Sequence, residues 1–345
     1  MNVLLTCAGR RSYEIGAFRE AVEGHGLVFA CDADPSAPAL RTADRSFIVP
    51  RIEAAGYVDT LIDLCRQNEV GLLIPAFEPE LPLLASRRRE FEAVGTTVLV
   101  SSEEVVATCY DKVASATFLA GCGVRSPRTY LSLESAAVAL DDGELAFPLM
   151  VKPRFGVSSI GIQRADDAEE LAFAVRQCRK QIEATFLAES SATDPGASVL
   201  IQEALHGAEY GLDIVNDLDG RYACTFVKRK LRMRAGQTDR ATTVADPRLE
   251  ALGEVIGRGL AHRGVLDCDV FADGDSITVI DLNPRFGGGY PFSHLAGANL
   301  PAALIAWADG KEPDPSWLRV APDVTIARYD QFVVAARIPD HEEHA

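Results

Sequence analysis

Val279-Ile280-Asp281-Leu282-Asn283-Pro284-Arg285-Phe286-Gly287-Gly288-Gly289 is the stretch on which the reading of this chain turns. Val279 to Leu282 has strand composition, and Asp281 and Asn283, two positions apart, alternate onto the same face. Two oxygen donors on one face, followed by an arginine, suit a hard cation bridging phosphates, with Arg285 neutralising a transferring group. A polar strand edge running into a glycine turn would show the same letters. Just upstream, Val265–Phe271 and Ser276–Leu282 read as a hairpin whose turn, Ala272-Asp273-Gly274-Asp275, has Asp-Gly chemistry. Asp269 on its first strand can therefore lie beside Asp281; a polar strand edge explains Asp269 taken alone equally well.

A second informative stretch is Val151-Lys152-Pro153-Arg154-Phe155-Gly156-Val157-Ser158-Ser159-Ile160-Gly161. A lysine at a strand end precedes a loop with two glycines and two serines, whose N–H and hydroxyl groups can approach phosphate oxygens closely. It is not the Walker pattern, because the lysine comes before the loop, and an ordinary glycine turn fits the loop alone.

Outward from these stretches, the first ~108 residues alternate short apolar strands with helical patterns at the spacing of a parallel sheet with crossover helices. Strands are predicted at Asn2–Cys7, Val28–Cys31, Gly71–Pro75 and Thr97–Val100, and helices near Tyr13–Gly24, Tyr57–Gln67 and Glu80–Ala93. The first strand is followed by Ala8-Gly9-Arg10-Arg11 without the glycine spacing of a dinucleotide fingerprint, which disfavours a hydride-transfer cofactor. Ligands dock just beyond the strand ends of such sheets, which makes Arg10, Arg11 and Glu78, with Glu80 close by, candidate substrate contacts; helix capping or ion pairs between domains explain them equally well. One helix is expected from Val105 to Gly121, strands at Leu149–Lys152, Ser198–Gln202, Tyr210–Asn216 and Tyr222–Lys228, then a basic loop, and helices at Ala168–Gln181 and Arg248–His262. Ala188–Ala197 reads as a loop, and Pro339–Ala345 as a frayed end.

The chain has 345 residues, 48% hydrophobic and 24% charged, with 34 Lys+Arg against 50 Asp+Glu and a net charge of −16. The length allows two or three packed units, and the acidity argues against sequence-independent attraction to nucleic acid or an anionic membrane. Only six of the basic residues are lysines, and four of them (112, 152, 228, 230) fall in the stretches discussed here. Lys228–Arg240 carries six basic residues and one acid, a charge run that a solvated face would explain, and no aromatic residues interleave for nucleic-acid stacking. Eight scattered cysteines without CxxC spacing read as reduced thiols, no apolar run approaches a membrane span, and no leader is evident, so a soluble cytoplasmic protein is expected.

Together these stretches resemble the ATP-grasp superfamily, and the chain from Met1 to about residue 310 is similar to its carbamoyl-phosphate-synthase-large-chain-like branch. The resemblance implies an α/β and α+β architecture: an N-terminal Rossmann-like pre-ATP-grasp domain (1–108), a two-lobed ATP-grasp domain (109–310, small lobe about 125–205) and a C-terminal extension (311–345) packing on the core. It implies that Lys112 and Lys152 contact the nucleotide phosphates under a lid bearing Gly156, Ser158, Ser159 and Gly161. Gln202, Glu203, Ala204 and Leu205 would read adenine, and Glu209 would hold the ribose. Asp269, Asp281 and Asn283 would bind Mg2+, with Mn2+ as the alternative ion, and Arg285, Lys230, Arg232 and Arg234 would serve the transferring phosphoryl group. Relatives often carry glutamate at 281, so the shorter aspartate leaves one or two metals open.

The expected activity is an ATP-dependent ligase that converts a small-molecule carboxylate to an acyl phosphate and couples it to an amine, releasing ADP and phosphate. No nucleic acid or membrane partner is expected, and a homodimer is a family-based expectation. A non-catalytic nucleotide-binding or scaffolding protein on the same fold is the alternative.

Overall fold

The structure, a computed structural model, describes residues 1–156, 160–192 and 194–335. Strands β1 (Asn2–Thr6), β2 (Val28–Asp32), β3 (Arg45–Ile48), β4 (Val70–Pro75) and β5 (Thr97–Val98) form a parallel sheet in the order β3-β2-β1-β4-β5. Helices α1 (Ser12–Ala21), α2 (Tyr57–Gln67), α3 (Leu81–Ser86) and α4 (Arg88–Ala93) connect them. Both faces are covered: Leu5, Ile15 and Phe18 lie in one core cluster, and Leu4, Phe29, Leu61 and Phe91 in another. That double burial explains the continuous apolar runs of β1 and β4. β3 escaped the sequence reading because this edge strand is only four residues long and exposes Arg45, Ser46 and Ile48, so it lacks a buried apolar run. The expected helix over Glu80–Ala93 is broken at Arg87, which adopts φ −111°, ψ 13° and pairs with Asp59 and Glu90.

The single helix expected from Val105 to Gly121 is likewise two, α5 (Glu103–Tyr110) and α6 (Lys112–Gly121). Asp111 between them is extended (φ −98°, ψ 111°), and its carboxylate accepts from the Val113 N–H, so it caps α6 and starts that helix at Lys112.

A second sheet is antiparallel, in the order β6-β9-β7-β8: β6 (Thr129–Tyr130), β7 (Leu149–Pro153), β8 (Gln163–Ala165) and β9 (Val199–Glu203). Helices α7 (Leu133–Asp141) and α8 (Ala168–Glu183) cover it, with Leu171, Val175 and Ile182 facing Leu149, Val151 and Ile201 in one cluster. The stretch 188–197 is not wholly a loop. It contains most of α9 (Leu187–Ser191), anchored by buried Leu187, and a 3-10 turn at Pro195–Ala197.

The third sheet has six antiparallel strands in the order β14-β13-β10-β11-β12-β15. They are β10 (Ala208–Asn216), β11 (Tyr222–Arg234), β12 (Gln237–Thr243), β13 (Gly264–Asp273), β14 (Ser276–Asn283) and β15 (Thr325–Ala327). Helix α10 (Pro247–Leu260) packs Leu249, Ile256 and Leu260 on one face, and α11 (Tyr290–Leu295) and α12 (Leu300–Ala308) follow β14. The basic stretch 228–240 is thus not a loop. It is the end of β11, a turn at Ala235-Gly236 with positive φ at both residues, and the start of β12. Cross-strand pairing makes a strand of residues whose charge suggested solvated coil. The mixed α/β architecture, with a parallel N-terminal sheet followed by antiparallel lobes, is the one the sequence led us to expect.

Candidate active site

Strand register assembles the centre of the site. Asp269 faces Asp281 and Asp267 faces Asn283 across β13 and β14, while Asp213 and Gly211 of β10 sit opposite Asp267 and Asp269. Side chains two apart share a face, so a carboxylate-rich surface spans three neighbouring strands. Lys230 lies 2.7 Å from both Asp269 and Glu209, and Lys112 lies 3.1 Å from Asp281. Burial pushes the Asp269 carboxyl up to about 6 despite Lys230. For Asp281 burial works in the same direction, but Lys112 and Lys152 hold it below the usual carboxylate range.

The second sheet supplies the other lysine. Lys152, at the end of β7, is 8% exposed, and its Nζ donates to the Ile280 carbonyl at 3.4 Å. Burial, and then the neighbouring Lys112, bring its pKa down to about 8. Lys112 Nζ also donates to Gly156 O at 2.9 Å. The stem of the glycine loop is fixed by Arg154, which donates to both Asp111 oxygens at 2.8 and 2.7 Å. Gly161 has φ +74°, while Ser158 and Ser159 lie outside the described residues.

The segment expected to read adenine is partly engaged by protein. Gln202 Nε2 donates to Thr129 Oγ1 at 2.7 Å, and the Glu203 carboxylate pairs with Arg125 and Arg128 at 3.3 and 2.9 Å. The N–H groups of Glu203 and Ala204 donate to Arg128 and Pro148 carbonyls, leaving the Leu205 N–H without an acceptor among the described residues. Beside it, a pocket of about 400 Å³ is lined by Glu209, Lys230, Arg232 and Phe271, among others.

Arg285 sits where the six-stranded sheet meets the N-terminal sheet. Its guanidinium is 3.2 Å from Glu78, just beyond β4, and 3.2 Å from Asp267. Burial raises the Glu78 carboxyl, with Arg285 opposing the shift. Arg11 pairs with Glu14 at 2.5 Å and donates to Phe286 O at 3.0 Å, whereas Arg10 is exposed. The glycines that follow allow the chain to cross closely over this charged face. A Cβ on Gly287 would fall 2.1 Å from the Asp267 carboxyl carbon, and one on Gly289 would fall 2.7 Å from Lys228 Cε.

Thus Lys112, Lys152, Gly156, Lys230, Asp269, Asp281, Asn283 and Arg285 converge, joined by Glu78, Glu209 and Arg11. Arg232 lines the pocket beside Glu209 and Lys230 and lies 3.6 Å from Asp239, while Arg234, 49% exposed on the β11–β12 hairpin, pairs with Asp239 and Asp330. Sequence reasoning missed Asp267, although its alternation with Asp269 was a usable signal. It also missed Arg328, whose place depends on where β15 pairs.

Asp269, Asp281 and Asn283 fit a hard divalent cation, since all three are oxygen donors on facing positions of adjacent strands. Among the described residues, no group of three or more His, Cys, Asp or Glu is preformed for a metal. This donor set suits an ion shared with substrate phosphates, because Mg2+ is commonly held by one or two carboxylates plus phosphate oxygens.

The family model described as "PylC-like, N-terminal domain" matches residues 3–99, and "ATP-grasp in the biosynthetic pathway with Ter operon" matches 196–332. The carbamoyl phosphate synthase large chain of Thermotoga neapolitana is 25% identical over 278 residues, 77% of this chain and 23% of that protein. The chain therefore spans about a quarter of the length of that relative. Among solved structures, the L-amino acid ligase of Bacillus licheniformis superposes with a TM-score of 0.70 at 20% identity, covering 94% of this chain and 79% of the other. The biotin carboxylase domain of Hydrogenobacter thermophilus 2-oxoglutarate carboxylase, solved with MgADP and bicarbonate, gives 0.70 at 16% identity, covering 90% and 70%. The chain thus carries a PylC-like N-terminal domain and, over 196–332, an ATP-grasp domain, and carbamoyl phosphate synthase large chains are among its homologues.

Proposed function

We propose that this chain is an ATP- and Mg2+-dependent, ADP-forming ligase that joins a small-molecule carboxylate to an amine through an acyl phosphate. The observation that carries the reading is the convergence of Lys112, Lys152 and Arg285 on the face bearing Asp269, Asp281 and Asn283. In this reading Lys112 and Lys152 hold the phosphates, Glu209 the ribose, and the backbone of 203–205 the adenine edge. Asp269, Asp281 and Asn283 would hold Mg2+, which supplies charge neutralisation for the phosphates. The substrate carboxylate attacks the γ-phosphorus, the bond to the β-γ bridging oxygen breaks, and ADP leaves. The amine then displaces phosphate at the acyl carbon. Phosphoryl transfer depends on positioning and charge stabilisation rather than a protein nucleophile, which is why fixed cations dominate the site. Arg285, held in place by Glu78 and Asp267, would meet the charge that develops on the transferring group.

The same reading divides the chain into a substrate-side unit over 1–108, a nucleotide clamp over 109–310 and an extension from 311. Eight unpaired cysteines fit a reducing cytoplasm. No described helix is long and apolar enough to cross a membrane. The proposal includes a homodimer.

The test incubates the protein with Mg-ATP, pooled carboxylates and hydroxylamine. Hydroxamate formation matched by ADP is expected, and Lys152→Ala or Asn283→Ala should lower it about 100-fold or more. ATP binding with no acid-stimulated ADP formation across the panel would favour the non-catalytic alternative, and full turnover in both variants would sink the assignment.

A further inference from the structure

Glu80, two residues beyond Glu78, is fully buried, and its carboxylate is held by donors of the protein itself. Oε1 accepts from the N–H groups of Ala76 and Phe77 at 3.1 and 3.3 Å, and Oε2 accepts from the Tyr57 hydroxyl at 2.8 Å. Tyr57, on α2, is itself 1% exposed and lies 3.4 Å from Cys7 Sγ, just past β1. The Ala76 N–H also donates to the Thr6 carbonyl at 3.2 Å. One carboxylate therefore ties the ends of β1 and β4 to α2 and braces the turn over 76–80 from inside.

The same turn presents Glu78 to the site. Glu78 is 6% exposed and pairs with Arg285 at 3.2 Å, where the N-terminal sheet meets the six-stranded one. Pro79, between the two glutamates, restricts its own φ to about −65°. The Glu80 N–H closes the turn on the Phe77 carbonyl at 3.2 Å, so one glutamate reaches Tyr57 while the other reaches Arg285. Burial pushes the Glu80 carboxyl up to about 7, so the group sits here against its own desolvation. Leucine or methionine would fill this space without that penalty, but neither can hold two N–H groups and a hydroxyl at set distances.

We propose that Glu80 is a positioning residue for the reaction: by bracing the turn over 76–80 it sets Glu78 against Arg285, the cation that meets the transferring phosphoryl group. This inference rests on the ligase reading and adds to it a residue that touches neither nucleotide nor acid. Reach matters here more than charge, because every partner of Glu80 named above is a hydrogen-bond donor at a fixed place. Glutamine keeps the reach, since Tyr57 can accept from the amide and turn its own proton toward Cys7 Sγ. Aspartate keeps the charge but is one methylene too short to span from Tyr57 to the two N–H groups.

The experiment uses the full chain, with Mg-ATP varied against a fixed pool of carboxylates and hydroxylamine, and reads hydroxamate. Glu80→Asp should lower kcat about tenfold and leave the KM for Mg-ATP within about twofold, because a displaced Arg285 costs turnover rather than nucleotide binding. Glu80→Gln should keep at least about half of the wild-type kcat. Adding Glu80→Asp to Glu78→Gln should lower kcat no further than Glu78→Gln does alone. In crystals of the Glu80→Asp protein, Glu78 should no longer lie within about 4 Å of Arg285. Wild-type kcat in Glu80→Asp, an equal loss in Glu80→Gln, losses that multiply in the double variant, or an intact Glu78–Arg285 contact would each overturn this inference and leave the ligase reading standing. Absence of acid-dependent ADP and hydroxamate in the wild-type chain would overturn both. If Glu80→Asp does not fold, Tyr57→Phe, which removes a single donor, takes its place: a loss of about threefold in kcat at unchanged KM is expected, and no loss refutes the positioning role.

Discussion

Individual residues show how this chain tolerates so many charges close together. Lys228 and Asp213 are 1% and 0% exposed and sit 2.6 Å apart, with Ser293 donating to the same Asp213 oxygen at 2.5 Å. Removing one partner of a buried pair leaves an uncompensated charge, so Lys228→Met should destabilise the fold by about 3 kcal/mol. Lys228→Met with Asp213→Asn should recover part of that loss. Urea unfolding of the three proteins checks this, and equal stability of the single and double variants would refute the coupling. Glu80 gives a pH-dependent counterpart. Burial pushes its carboxyl from 4.5 up to about 7, against hydrogen bonds from Tyr57 and the N–H groups of Phe77 and Ala76. Because the folded value is the higher one, its contribution is complete below about 4.5 and is lost as pH rises through 7. Glu80→Gln should therefore gain on the wild type between pH 5 and 8, by on the order of 2 kcal/mol. His262, whose burial lowers its pKa to about 4, loses its contribution as pH falls toward that value, but it is common to both proteins. A stability difference that stays constant with pH would contradict the argument.

Among the elements, the break between α5 and α6 does the most for the site. The Asp111 side chain caps α6 through the Val113 N–H and holds Arg154 by two hydrogen bonds, tying Lys112 to the glycine-loop stem. Loss of the cap alone costs about 1 kcal/mol. Asp111→Ala should also release Arg154, and so weaken ADP binding by more than the stability change would suggest. Asp111→Asn keeps a good cap while weakening the ion pair. Asp111→Asn should therefore retain the melting temperature but not full ADP affinity, and calorimetry beside thermal melts separates the two roles. The break was hidden in the sequence because Asp-Lys inside an apolar-periodic stretch is also acceptable helix interior. Only the bridge between Asp111 and Phe155 shows why the chain opens there.

At the scale of the whole molecule, the site lies where three sheets approach one another. The N-terminal sheet contributes Glu78 and Arg11, the four-stranded sheet Lys152, and the six-stranded sheet Asp269, Asp281 and Arg285. β15 closes the last of these by pairing Thr325, Ile326 and Ala327 with β12, and Arg328 then bonds the Gly288 turn. Deleting residues 324–345 should leave the parallel sheet intact but expose the β12 edge and free the hairpin tip. Limited proteolysis is expected to cut first within 231–240 in the truncated chain, with little change over 1–99. An unaltered cleavage pattern would mean that β15 does not support the hairpin.

The sequence by itself determined the fold class and the chemistry carried by local spacing. A period of two puts Asp281 and Asn283 on one face, a strand end presents Lys152, and alternating strands and helices require a doubly covered parallel sheet. Those features depend on residues close in the chain. The partners of these groups were decided only by the tertiary structure, because register between distant strands is set by the packing of whole sheets. That packing joined Lys230 to Asp269 and Glu78 to Arg285. It also drew the basic stretch into a hairpin, paired Arg232 and Arg234 with Asp239, and brought Arg328 to the turn after β14.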